Sequence, residues 1–188
     1  MTEACKWLIL VYKIPAEPSR HRVAVWRRLK EGGAVYLQNS VCILPDSPSG
    51  RSIFHSLAEE ITAAGGESVL LLAEPLETAV HERVVERFNV ERDAEYGEFL
   101  EQCEAFLEEI RMETERHNFT YGELEENVEN LRRLEAWLHK IHSRDFFGTM
   151  KATTARERLS QCHEALEAFA GRVFHAQEGA GRAGAEIV

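Results

Sequence analysis

Apolar positions come in short dense bursts over the first third of the chain and then spread into long helical stripes. Trp7-Leu-Ile-Leu-Val-Tyr12 is nearly unbroken, β-branched and aromatic in character, and too short for a secretory core with a cleavage site, so residues 6–14 read as a buried strand. Pro15 and Pro18 end it, because proline has no N–H to continue a ladder. Ser19 is positioned to cap a helix running to about residue 31, where Gly32-Gly33 can take the left-handed conformation that stops it. Residues 34–37 and 41–44 flank a polar turn in which Asn39 would tolerate positive φ, a hairpin pattern. Ile53, Phe54, Leu57, Ala58 and Ile61 then recur at helical spacing until Gly65-Gly66, and residues 69–72 form a fourth strand stopped by Pro75.

Strand, helix, strand, strand, helix, strand is the split β-α-β order of a ferredoxin-like domain, with two helices over one face of a four-stranded antiparallel sheet. The fold class expected is therefore α+β: a ferredoxin-like sandwich over residues 5–76, an acidic helical extension over 77–176 and a disordered Gly-Ala-rich tail over 177–188. Within the extension, a helix spans about 77–117 with Tyr96, Leu100, Cys103, Leu107 and Ile110 on its stripe. Thr120 and Glu123 form a capping box, and Phe119 with Leu124 could staple the next helix. Leu124, Val128, Leu131, Leu134, Leu138 and Ile141 continue that helix. After a break at 143–151, Leu159, Cys162, Leu166, Phe169 and Val173 mark the last one.

Composition adds limits. The 188 residues are 44% hydrophobic, with no apolar run near the roughly 18 residues that cross a bilayer and no charged leader, so a cytoplasmic location is expected. Cys5, Cys42, Cys103 and Cys162 are scattered singly, which fits reduced, structural thiols better than a zinc cluster or a redox motif. The formal net charge is −10, yet it is unevenly spread. Residues 1–30 carry Lys6, Lys13, Arg20, Arg22, Arg27, Arg28 and Lys30 against Glu3 and Glu17, whereas residues 91–135 carry fifteen Asp and Glu against five Arg.

On the first helix Val25, Trp26 and Leu29 share the apolar side, with Trp26 expected in the core. Arg20, Arg27, Arg28 and Lys30 fan across the other side. Arg22 falls on the apolar side of the first turn, where a buried ion pair is expected. Such a ridge could neutralise phosphates or chelate a guanine edge; the plain alternative is a solvated helix face. His139 and His142 lie three apart without a carboxylate in metal-site spacing, and the Glu-rich run from 91 to 129 reads as a solvated face. No phosphate loop, nucleophile elbow or catalytic Cys–His context is visible, so neither catalysis, metal nor cofactor is expected.

Trp7-Leu-Ile-Leu-Val-Tyr-Lys-Ile-Pro15, Pro18-Ser-Arg-His-Arg-Val-Ala-Val-Trp-Arg-Arg-Leu29 and Gly33-Ala-Val-Tyr-Leu-Gln38 resemble the amino-terminal domain of the ChrB family. The likeness continues through Arg87-Phe-Asn89, Glu91-Arg-Asp-Ala-Glu-Tyr96, Phe119-Thr-Tyr-Gly-Glu-Leu-Glu-Glu-Asn127 and Arg144-Asp-Phe-Phe-Gly148, spanning about residues 6–175. The resemblance implies the DNA-binding part of a repressor that controls a chromate efflux operon, and it raises Arg20, Arg22, Arg27, Arg28 and Lys30 as DNA contacts. Full-length members carry a second domain associated with chromate recognition; the chain stops just after the first, so chromate binding is not expected of it. The ferredoxin-like order also resembles the PaaX-type repressor core and small CRISPR-associated nucleases, but those nucleases carry an acidic residue at the end of the first strand, where Val11-Tyr-Lys-Ile-Pro15 stands here. The leading expectation is a homodimeric regulator on operator DNA. A non-catalytic protein-interaction module is the alternative, and a metal-dependent nuclease comes third.

Overall fold

The computed structural model describes residues 6–185, with side chains through Glu178. It is mixed α+β and mostly helical: β1 (Trp7–Lys13), α1 (Ser19–Glu31), β2 (Val35–Gln38), β3 (Val41–Pro45), α2 (Pro48–Ala63), β4 (Glu67–Ala73), α3 (Thr78–Glu115), α4 (Tyr121–His142) and α5 (Met150–Ala185). The chain divides into two compact units. The first comprises the residues up to Val90 together with Arg144–Phe147, and the second Glu91–Ser143 with the residues from Gly148 onward. The first therefore runs past the boundary expected at residue 76, and α3 contributes its opening turns to it.

In the first unit the strands form one antiparallel sheet in the order β2-β3-β1-β4. The apolar run that announced β1 places it in the centre, where Leu10 lies between Cys42 of β3 and Leu70 of β4. Side chains alternate across a strand. Leu8, Leu10 and Tyr12 share one face, and the buried Phe54, Leu57 and Ile61 of α2 and Val25 and Leu29 of α1 belong to the same core. Fully burying each such side chain stabilises by about 1.5–3 kcal/mol. Trp7, Ile9 and Val11 take the other face, and there the Trp7 ring stacks on Phe88 of α3 at 5.7 Å, with Phe147 at 5.9 Å. That stacking explains why the first unit keeps the start of α3.

Local signals held with small displacements. Gly33, not Gly32, takes the left-handed conformation, at φ 73°. A Cβ there would come within 2.9 Å of the Arg144 side chain, so glycine is required twice over. The N-cap position of α1 is Pro18, without a side-chain cap, and Ser19 is already helical. In the hairpin Ser40 rather than Asn39 has positive φ, at 62°. The register shift between Tyr36 and Gln38 inserts Leu37 as a bulge, moving the corner one residue on.

In the second unit the stripe on α3 is Tyr96, Phe99, Cys103, Phe106 and Ile110, closing on Leu131, Leu134, Leu138 and Ile141 of α4 and on Ala155, Cys162, Phe169 and Val173 of α5. Thr120 caps α4 by accepting a hydrogen bond from Glu123 N at 3.2 Å. Helix α5 continues to Ala185, so residues 177–185 are helical rather than a disordered tail. Propagating a formed helix through Ala, Gln, Glu and Arg costs far less than nucleating one, which offsets the intervening glycines. Residues 186–188 lie outside the described residues, as does Cys5. Cys42, Cys103 and Cys162 are buried free thiols.

Candidate nucleic-acid interface

Helix α1 buries only Val25 and Leu29. At 100° per residue these two define the inward side, and the outward arc carries Arg22, Trp26, Lys30, Val23, Arg27 and Arg20 in angular order. All of these but Lys30, which is half-buried, are exposed, Trp26 by 51%. Among the described residues, Arg20, Arg22 and Arg27 make no ion pair or side-chain hydrogen bond.

Two expectations are corrected here. Trp26 is not core: it sits about 60° beyond Leu29, far enough to clear the sheet. Nor is Arg22 in a buried ion pair. It lies in the first turn, one turn ahead of the first buried residue, with no core beneath it, and it is exposed.

The remaining basic residues of the ridge are placed differently. Arg28 turns toward α2, where Nη1 donates to Glu60 Oε2 at 2.6 Å and Nη2 to Ser56 Oγ at 3.1 Å. It ties the two helices together. Lys30 is half-buried, and its carbonyl accepts from Arg144 Nη1 at 3.3 Å. The structure thus leaves Arg20, Arg22 and Arg27 exposed along an arc of about 160° of α1, with Lys30 half-buried within that arc, and turns Arg28 away to α2. What sequence reasoning missed is the apolar centre of that surface, Trp26 with Val23; the angular offset of Trp26 from Val25 and Leu29 was the available signal.

Other polar groups of the first unit hold the scaffold. Arg87 Nη1 donates to the carbonyls of Tyr36 at 3.2 Å and Leu37 at 3.0 Å, clasping the bulge. Tyr12 and Tyr36 share a hydroxyl hydrogen bond of 3.0 Å, and burial raises both phenols above their ordinary value. Burial also pushes the Cys42 thiol up to about 12, so it stays protonated at neutral pH and is a poor nucleophile. In the second unit a cavity of about 300 Å³ is lined by Gln102, Phe106, Glu109, Asn130, Arg133 and Trp137 among others. His139 and His142 are both exposed, and among the described residues no three His, Cys, Asp or Glu side chains converge as metal ligands. No helix is long and apolar enough to cross a membrane, again among the described residues.

The arrangement of α1 is a cationic surface with an aromatic centre, suited to phosphates flanking a base edge or base face. Comparison with known proteins gives it a context. The chain is 24% identical over 161 residues to "Protein ChrB" of Cupriavidus metallidurans (strain ATCC 43123 / DSM 2839 / NBRC 102507 / CH34), an alignment covering 86% of this chain and 46% of that protein. The chain thus spans about half the length of that relative. The profile of the family described as "Protein ChrB, N-terminal" matches residues 22–180, from the end of the first turn of α1 almost to the end of α5. The chain belongs to the ChrB amino-terminal family.

Proposed function

We propose that this protein is a DNA-binding transcriptional regulator of repressor type, acting in chromate resistance in the cytoplasm, and that it contacts DNA through the outward face of α1. On the same reading its first unit is a ferredoxin-like sandwich, the strand order β2-β3-β1-β4 being the one that split β-α-β units produce. The observation that carries the proposal is that Arg20, Arg22 and Arg27 are all exposed and, among the described residues, unpaired on the same helix that exposes Trp26, in a chain whose net charge is −10. An acidic protein that concentrates arginine on one exposed helix face is organised for a polyanion. Each guanidinium can displace a counterion from a phosphate, while Trp26 and Val23 offer apolar contact to thymine methyls or base faces. At 13 residues α1 is about 20 Å long, enough to lie in a major groove. The role calls for binding and release, with no bond broken, and chromate recognition is not assigned to this chain.

Fluorescence anisotropy with the DNA upstream of the protein's own gene, over a salt series, tests the proposal. The wild type is expected to bind saturably, with affinity falling steeply in salt. An Arg22→Ala/Arg27→Ala variant should bind more weakly, its log–log salt slope smaller in magnitude by about 1.8 for each bound protomer, because two phosphates per α1 are no longer neutralised. Trp26→Ala should weaken binding while leaving that slope unchanged. Absence of binding even at low salt would overturn the proposal and turn attention to the α3–α4 cavity as a partner-docking surface.

A further inference from the structure

Strand β4 is the edge of the sheet and pairs only with β1, in unbroken register from Trp7↔Ala73 to Lys13↔Glu67. Its outer row of backbone N–H and C=O groups has no strand beside it among the described residues. Sheet edges are ordinarily blunted by lysine, proline, a bulge or an inward-pointing charge. Between Glu67 and Ala73 there is none of these: the segment reads Ser-Val-Leu-Leu-Leu, and Val69, Leu71 and Leu72 are 54%, 48% and 52% exposed. An edge left flat, apolar and unprotected is built to be covered by another strand.

We infer that this strand is a second copy of β4, joined antiparallel about a two-fold axis through Leu70 and perpendicular to the sheet. Residues directly opposite in an antiparallel pair project to the same face, so a symmetric pairing must centre on a residue rather than between two. Centring on Leu70 sets Val69 opposite Leu71 of the second copy and Leu71 opposite its Val69, and Ser68 opposite its Leu72. Every exposed apolar residue of the strand then faces a cross-strand neighbour. The charge pattern agrees: Glu67 meets Ala73, so no like charges face each other. Centring on Leu71 would set Glu67 against Pro75, whose missing N–H breaks the ladder.

The pairing has a consequence that rests on the proposed DNA-binding reading. A two-fold perpendicular to the sheet keeps both copies of α1 on the same side of a continuous eight-stranded sheet. Helix α2 lies against β4 and β1, and α1, beside it, leads through Gly33 into β2 at the far edge. With strands about 4.8 Å apart, the two α1 helices are separated by roughly 25–35 Å. That approaches the one-turn spacing, about 34–36 Å, between half-sites of a two-fold operator.

The test is made without DNA, so its failure and the failure of the DNA-binding reading are distinguishable. Sedimentation equilibrium of the full chain at tens of micromolar is expected to give a dimer. Val69→Lys/Leu71→Lys should give a monomer with unchanged circular dichroism, as should Val69→Glu/Leu71→Glu, and an equimolar mixture of the two should recover the dimer. In a Cys5→Ser background, Ser68→Cys/Leu72→Cys should cross-link between copies on oxidation with diamide; both positions lie on the face that bears α1 and α2, so a dimer that instead packed its Val69 and Leu71 faces together would keep them apart. A monomeric wild type, a dimer insensitive to the lysine pair, or a dimer that fails to cross-link would each overturn the inference.

Discussion

Arg27 and Arg28 are neighbours in sequence and opposites in space. One step of 100° sends Arg27 into solvent and Arg28 onto Glu60 and Ser56. The consequence is a division of labour that an alanine scan can read. Arg28→Ala should lower unfolding stability by about 0.5–1 kcal/mol, the range for a partly exposed ion pair of good geometry, with Glu60→Ala non-additive to it in a double-mutant cycle followed by urea denaturation. Arg27→Ala should leave stability within about 0.5 kcal/mol of wild type. That α1 carries a basic ridge was legible from residue types alone. Which arginine faced a partner was not, because Glu60 and Ser56 lie some thirty residues away and their proximity depends on how α1 and α2 pack. Trp26 was misplaced for a related reason: a helix that buries only two residues has a narrow inward side, and its width is set by the sheet beneath it.

Strand and helix order was readable because short unbroken apolar runs contrast with the longer stretches of period-3.6 spacing, and because proline and glycine punctuate nearly every junction. Two displacements concern single residues, the hairpin corner moved by the Leu37 bulge and the helix entry at Pro18, and a third is the nine-residue continuation of α5 over 177–185. A bulge depends on the partner strand, so a strand's own sequence is silent about it. On α3 the expected stripe included Leu100 and Leu107, which are only partly buried, and missed the fully packed Phe99 and Phe106. Helical spacing cannot choose between adjacent apolar positions when the facing helix is unknown. The acidic face of these helices is testable. Burial, and then the carboxylates of Glu126, Glu123 and Glu113, raise the Glu109 pKa above its ordinary value. A raised carboxyl pKa favours the folded state below the unfolded-state value, near 4.3, and that contribution is lost as pH rises through the folded-state value. Glu109→Gln should therefore raise Tm by about 1–2 °C at pH 7 and give no gain near pH 4, as differential scanning fluorimetry across pH would record.

Across the whole molecule, charge is partitioned between an arginine-bearing surface on the first unit and an acidic second unit, and neither is apparent from the net value of −10. The two units also share a covalent element of unusual length. Helix α3 is uninterrupted from Thr78 to Glu115, supplying Val84 and Phe88 to one core and Phe99, Cys103 and Phe106 to the other. Breaking a helix in its middle creates two frayed ends whose backbone groups lose their partners, and re-forming either half requires nucleation. The two cores therefore have a common thermodynamic fate despite being separate clusters. Calorimetry should find one cooperative transition with matching van't Hoff and calorimetric enthalpies, and Phe88→Ala in the first core should lower amide-exchange protection in the second.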